Sequence, residues 1–318
     1  MKNFPEFHTT EFSTPDERLA ASQLPPTVRQ MMVTNLLVPY AQYARVKKFV
    51  SQFHRPVDDG THGTGWIGGV IGESRAGKSF IMQSYAADWM PVEGPNGYDF
   101  PVAYLEARAE WDMLEFGRQI YHATGATAIP RMSTAALNTK SAHRLRQFKV
   151  QLVIIDDAHF LFAASDRKRT AFVSLIQHIA DQRSCNVLLA GLPSVEVAMK
   201  GNPQLLNRGG FPHHSVLEFD SRTPDEREKF RIFLHGVDQR LPFSKPSDLA
   251  QKSYIADFLA VSGGSIGKVM NIIVSAGHMA INEGQSCILP KHLRKATEVR
   301  LLEGTAHVPF ADMEVANG

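Results

Sequence analysis

The amino-acid sequence predicts an α/β protein: a five-stranded parallel sheet held between two helical layers (three-layer α/β/α), followed by a small helical domain. Three observations predict it. Short, mostly apolar runs recur along the chain: WIGGVI at 66–71, PVAYLEA at 101–107, VQLVIID at 150–156, NVLLAG at 186–191 and HHSVLEF at 213–219. Segments of helical periodicity separate them, and a strand apolar on both faces belongs in a parallel sheet covered on both sides. Beyond Asp220 the strands cease and only helical patterns remain.

Residues 1–26 read as irregular, with prolines at 5, 15, 25 and 26. From Thr27 to Phe53 apolar positions recur at helical spacing, and Pro39 splits or kinks that segment. Residues 54–65 form a polar, glycine-bearing linker. Helices are expected over 77–89, 110–125 and 167–183, each after a strand. The segment starting at Thr223 opens as a capping box, with Pro224 next and Glu226 three residues after the cap, and it runs to 240. Helical patterns follow at about 248–261, 265–282 and 290–302. The expected organisation is an N-terminal extension (1–60), a core (61–220), a helical lid (221–302) and a flexible tail (303–318).

With 43% hydrophobic residues, the 318-residue chain can bury one large core or two modest ones. Its net charge of +2 excludes a general basic field, so nucleic-acid binding would need a local patch. Cys185 and Cys287 are the only cysteines, which excludes a disulfide framework and suits a reduced, intracellular compartment. The histidines form no HExxH pattern. No run approaches the ~20 apolar residues that cross a bilayer, and the first residues lack the apolar region of a signal peptide. The expectation is a cytoplasmic protein with no membrane partner.

GESRAGKS, Gly72 to Ser79, matches GxxxxGK[ST] between a strand and a helix. Gly72, Glu73, Ser74, Arg75, Ala76 and Gly77 would wrap successive backbone N–H groups around phosphate oxygens. Lys78, Ser79 and Phe80 open a helix whose dipole adds to the attraction. Lys78 would reach the β- and γ-phosphates of ATP, and the Ser79 hydroxyl would ligate Mg²⁺. The plainer alternative is an ordinary strand-to-helix turn with a solvated lysine. LVIIDDAH, Leu152 to His159, ends an apolar strand in two carboxylates at the sheet edge where ligands of such folds bind. Asp156 is then the metal-side acid and Asp157 the general base for water. Asp-Asp after a strand also serves as a helix cap, but a phosphate loop in the same chain favours catalysis. Asp157 is one methylene shorter than a glutamate, which points to slow turnover. The strand at 101–107 falls between loop and acid in sequence. That disfavours a small-molecule kinase and favours a class with an inserted central strand.

With these residues in view, the sequence resembles the AAA+ ATPases, and within them the TniB/TnsC transposition regulators. GESRAGKS and LVIIDDAHFL carry the superfamily resemblance; NVLLAGLPSVE, QLLNRGGF and VSGGSIGKVMNIIVSAGHMAI narrow it, over about residues 30–302. The resemblance implies ATP-driven assembly into a ring or helical filament on double-stranded DNA and delivery of that DNA to a transposase. The site would be chosen by a target selector similar to TniQ or TnsD, with or without a CRISPR effector. Hydrolysis of ATP to ADP and phosphate would promote disassembly. It implies that Arg208 acts as an arginine finger on a neighbour's γ-phosphate, the alternative being a surface-loop arginine. Lys268 lies near a sensor position of the helical domain, which Gly267 occupies in the preferred register. Leu192 follows Gly191 where a polar sensor is usual, again implying slow, regulated hydrolysis.

Two basic clusters are candidates for DNA: Lys140, Arg144, Arg146 and Lys149, and Arg167, Lys168 and Arg169. They are either backbone contacts, salt-sensitive and sequence-blind, or solvated helix ends. Tyr40, Tyr43 and Arg45 are candidates to stand beside an adenine, and amphipathic core packing is the alternative for the two tyrosines. The rival function is a STAND-like signalling NTPase that switches protein partners without DNA.

Overall fold

The computed structural model describes residues 4–95, 97–163, 165–202, 210–300 and 309–310. Two compact units emerge: Phe4 with Ala41–Leu217, and Pro5–Tyr40 with the residues from Glu218 on.

Near the N-terminus the Thr14 hydroxyl accepts from Glu17 N–H while the Glu17 carboxylate accepts from the N–H groups of Ser13 and Thr14. This reciprocal cap starts α1 (Pro15–Ser22), a helix in a stretch the sequence presents as irregular. Eight residues are too few for a periodic signal among four prolines. Helix α2 (Pro26–Thr34) follows, and Pro39 separates it from α3 (Ala41–His54), as expected.

The larger unit holds β1 (Ile67–Gly72), α4 (Lys78–Ala87), a hairpin of β2 (Val92–Gly94) and β3 (Gly97–Asp99), then β4 (Val102–Glu106). Next come α5 (Met113–Ala123), α6 (Thr134–Gln147), β5 (Leu152–Asp156), α7 (His159–Phe162), α8 (Asp166–Asp181), β6 (Asn186–Gly191), α9 (Pro193–Lys200) and β7 (His213–Val216). Five strands pair in the order β4-β5-β6-β1-β7, every pair parallel. The strand at 101–107 therefore sits at the sheet's edge. The strand that intervenes in space between loop and acid is β6, which pairs with both β1 and β5.

The central strands β1, β5 and β6 are buried on both faces. Ile67, Ile71, Ala103, Leu105, Val153, Ile155, Val187 and Leu189 join Phe116, Ile120, Phe172, Ile176 and Val195 in one cluster beneath α5, α8 and α9. The intervening residues, among them Val70, Tyr104, Ile154 and Leu188, are equally buried on the other face, where α4 crosses β4, β5, β6 and β1. Tyr43, placed by sequence near an adenine or in the core, is buried with its hydroxyl 2.8 Å from Ser84 Oγ of α4.

In the smaller unit, Thr223 Oγ1 accepts from Glu226 N–H at 3.3 Å and starts α10 (Pro224–Asp238). Helices α11 (Lys252–Ser262), α12 (Ile266–Asn282) and α13 (Pro290–Glu298) complete the helical set. Phe230, Phe233, Phe258, Val269, Ile273 and Leu293 form its core together with Val33, Leu36 and Val38. Residues 5–40, set apart in the sequence as an extension, thus group with the helical unit. Arg18 donates to Asp238 O at 3.1 Å, Arg29 donates to Pro242 O at 3.0 Å, and Arg240 pairs with Glu11. Tyr40 packs edge-on against Phe233 at 5.3 Å, in this core. No single helix among the described residues is long and apolar enough to cross a membrane.

Candidate functional site

β1 carries the chain, fully buried, to Gly72, and residues 73–77 turn it into α4. Arg75 (φ 65°) and Gly77 (φ 92°) both lie in the left-handed region, and Gly77 caps α4 where a Cβ would be strained. Glu73, Ser74 and Arg75 are exposed, whereas Ala76 is buried and its N–H donates to Glu73 O at 3.2 Å. The Lys78 side chain folds back over the turn. Its Nζ donates to Gly72 O at 2.8 Å and to Glu73 O at 2.7 Å, and the residue is 6% exposed. Burial pushes its ammonium below the usual lysine range, opposed by the carboxylates of Asp156, Asp157 and Glu73. Ser79 and Phe80 are half-buried on the first turn.

Asp156 ends β5 and is 1% exposed. Both its oxygens accept hydrogen bonds: Oδ2 from the Tyr104 hydroxyl at 2.6 Å, and Oδ1 from Asp157 N–H at 2.9 Å. Burial pushes its carboxyl above the usual range; the Tyr104 hydroxyl and, more weakly, the Ser79 hydroxyl oppose this, while the Asp157 charge adds to it. A dry carboxylate beside a serine hydroxyl is a set of hard oxygen donors whose buried charge calls for a cation, and it fits Mg²⁺. Asp157 occupies the left-handed region at φ 51°, a conformation aspartate tolerates better than longer side chains do. Its carboxylate faces His159, with Oδ1 at 4.0 Å from Nδ1. Burial pushes His159 below the usual histidine range.

Loop, Asp156 and Asp157 thus come together at one end of the sheet. β6 ends there too, with Gly191 opposite Ile71 and apolar Leu192 next. Arg208 lies outside the described residues. Lys268 is exposed on α12 of the smaller unit.

The basic clusters divide. Lys140 and Arg146 are exposed on α6, and Arg167 and Lys168 are exposed on the first turn of α8. Arg169 pairs with Asp166 at 2.8 Å, and Lys149 pairs with Asp99 at 2.8 Å. Arg144 is built into the fold. Its Nε donates to Thr124 Oγ1 at 2.6 Å, Nη2 donates to Thr124 O at 2.9 Å, and the guanidinium covers the rings of Tyr121 and Phe148. Desolvation lowers its pKa, as expected of a guanidinium spent on internal contacts. Arg144→Ala is expected to cost about 1–3 kcal/mol, seen as a lower melting temperature, while Arg146→Ala leaves the melt unchanged.

Sequence reasoning passed over Tyr104, Gln83 and His159. The signal for the first two was present. Period-two alternation puts Tyr104 on the same face as Asp156, and Gln83 lies four residues after Ser79 on one side of α4.

The sheet order, with the loop after β1 and the acid at the end of β5, is the AAA+ ATPase fold. Solved structures agree. Cdc6p from Pyrobaculum aerophilum matches at TM-score 0.56 and 14% identity, over 82% of this chain and 66% of that one. The Aeropyrum pernix ORC2 protein, in ADPNP–ADP complexes, matches at 0.58 and 13%, over 83% and 70%. The Aeropyrum pernix ORC1 protein in complex with DNA matches at 0.58 and 12%, over 84% and 67%. The chain thus spans about two thirds of the length of these structures. No curated protein matches the sequence. The profile described as "TniB: Bacterial TniB protein" matches residues 39–218, more than half of the chain. This chain belongs to the TniB family.

Proposed function

We propose that the protein is an ATP-dependent, DNA-binding regulator of transposition that assembles on double-stranded DNA and presents it to a transposase at a site chosen by a target selector. One observation carries this: a glycine loop, a buried lysine and a buried strand-end aspartate converge at one end of an AAA+ sheet. The loop amides, the α4 terminus and Lys78 would hold the β- and γ-phosphates of ATP. Ser79 and Asp156 would hold Mg²⁺, which supplies charge neutralisation on the phosphates. Asp157 would take a proton from the water whose oxygen attacks the γ-phosphorus, as the bond to ADP breaks. The short side chain of Asp157 and the apolar Leu192 support slow, regulated turnover. Arg208 is assigned to a neighbour's γ-phosphate in the assembly. Family membership supports the transposition role, and the structurally similar ORC1 protein in complex with DNA supports DNA as the ligand.

The test is electron microscopy of the protein with a non-hydrolysable ATP analogue and duplex DNA, where filaments or rings are expected. Monomers under those conditions overturn the proposal, and nucleotide-driven assembly indifferent to DNA replaces it with a signalling switch. If Lys140, Arg146, Arg167 and Lys168 contact phosphates, changing all four to alanine should lower the slope of log K against log [salt] by up to ~3.6. An unchanged slope removes these residues from the interface.

A further inference from the structure

The Tyr104 hydroxyl belongs to neither the phosphate loop nor the two acids, yet it lies at the shortest hydrogen-bond distance to Asp156. We propose that Tyr104 is a positioning residue that orients Asp156 for a divalent cation, and that Gln83 holds Tyr104 in turn. The inference rests on the assignment of Asp156 as the metal-side acid.

The geometry follows from register. Tyr104 pairs with Ile154, so Asp156 lies two residues further along the neighbouring strand and on the same face. A tyrosine is long enough to cover that diagonal, and its hydroxyl reaches Oδ2 at 2.6 Å, within the range for an O–H donor on a carboxylate. Asp157 N–H holds Oδ1. Clamped at both oxygens, the carboxylate cannot rotate freely about its terminal bond.

The hydroxyl is itself oriented. Gln83 Nε2 donates to Tyr104 Oη at 3.3 Å, which leaves the phenolic hydrogen for Asp156. Gln83 stands one helical turn beyond Ser79, so α4 directs both side chains at the same face of the sheet. The run Gln83–Tyr104–Asp156 therefore ties the helix bearing one oxygen donor to the strand bearing the other. Outer partners of this kind fix the geometry of a metal's own ligands, and their loss typically costs ~10–100-fold in metal affinity.

Tyr104 also packs edge-on against Phe4, with ring centroids 5.5 Å apart. Tyr104→Phe preserves that contact and removes only the hydroxyl, so it separates packing from orientation. The experiment follows a fluorescent ATP analogue on the full chain during titration with Mg²⁺, with Mn²⁺ electron paramagnetic resonance as a second readout and a thermal melt for each protein. Tyr104→Phe is expected to raise the half-saturating Mg²⁺ concentration about 10–100-fold, with nucleotide affinity in EDTA unchanged. Gln83→Leu shifts it the same way by less. An Mg²⁺ dependence identical to wild type overturns the proposal. So does equal loss of affinity in EDTA, which would make the hydroxyl a support of the loop instead. Wild-type protein that binds no nucleotide at all fails the site assignment itself, a different result from either.

Discussion

Lys78→Ala is expected to abolish nucleotide binding while leaving the protein folded. The Lys78 ammonium is buried and donates to two carbonyls of its own loop, at Gly72 and Glu73. Truncation removes those two bonds but also removes a cation that burial disfavours, as its lowered pKa shows. The two effects oppose one another, so the melting temperature should move by only about 2–4 °C. Binding has no such compensation. Phosphate oxygens would lose charge-assisted bonds worth ~1.5–3 kcal/mol each, and two of them amount to about 10²–10⁴ in affinity. Calorimetric titration with ATP and Mg²⁺, beside a thermal melt, measures both quantities. Wild-type affinity in the variant takes Lys78 out of the site, and a collapsed melt shows that its bonds to the loop hold the fold.

What the sequence reveals and what it hides follow a physical division. The central strands β1, β5 and β6 are legible because a strand buried on both faces must be largely apolar, as in Leu152–Ile155. The phosphate loop is legible because a turn that wraps an anion needs glycine where φ is positive, as at Gly77. The order of the strands is not legible. Nothing local in NVLLAG says that β6 lies between β1 and β5, because that is decided by which helices cross which strands. The hairpin β2–β3 stayed hidden because three-residue strands give little alternation. Arg144 reads as one cation among several in RLRQFK. Only the fold brings Thr124, Tyr121 and Phe148 around it and turns a candidate DNA contact into an internal brace. Residues 5–40 carry no mark of the helical core they join. Val33 and Leu36 are apolar, but what they pack against lies about two hundred residues later.

Asp157→Asn is expected to slow hydrolysis by ~10²–10⁴ while nucleotide affinity stays within about threefold of wild type. The substitution isolates the proton acceptor. Asparagine has nearly the same shape and shares aspartate's tolerance of the left-handed region, so the turn at φ 51° survives. The change in charge also works in favour of the rest of the site. The Asp157 carboxylate raises the pKa of neighbouring Asp156, and its removal leaves Asp156 more readily ionised. The Asp157 N–H to Asp156 Oδ1 bond involves backbone and persists in the variant. If hydrolysis releases the assembly, the variant with ATP should hold DNA as the wild type does with a non-hydrolysable analogue, and its decay after dilution should slow in step with phosphate release. Phosphate release at the wild-type rate would exclude Asp157 as the base and direct attention to His159, which lies 4.0 Å from its carboxylate. Loss of DNA-bound assembly in the variant would instead assign Asp157 to nucleotide-driven association.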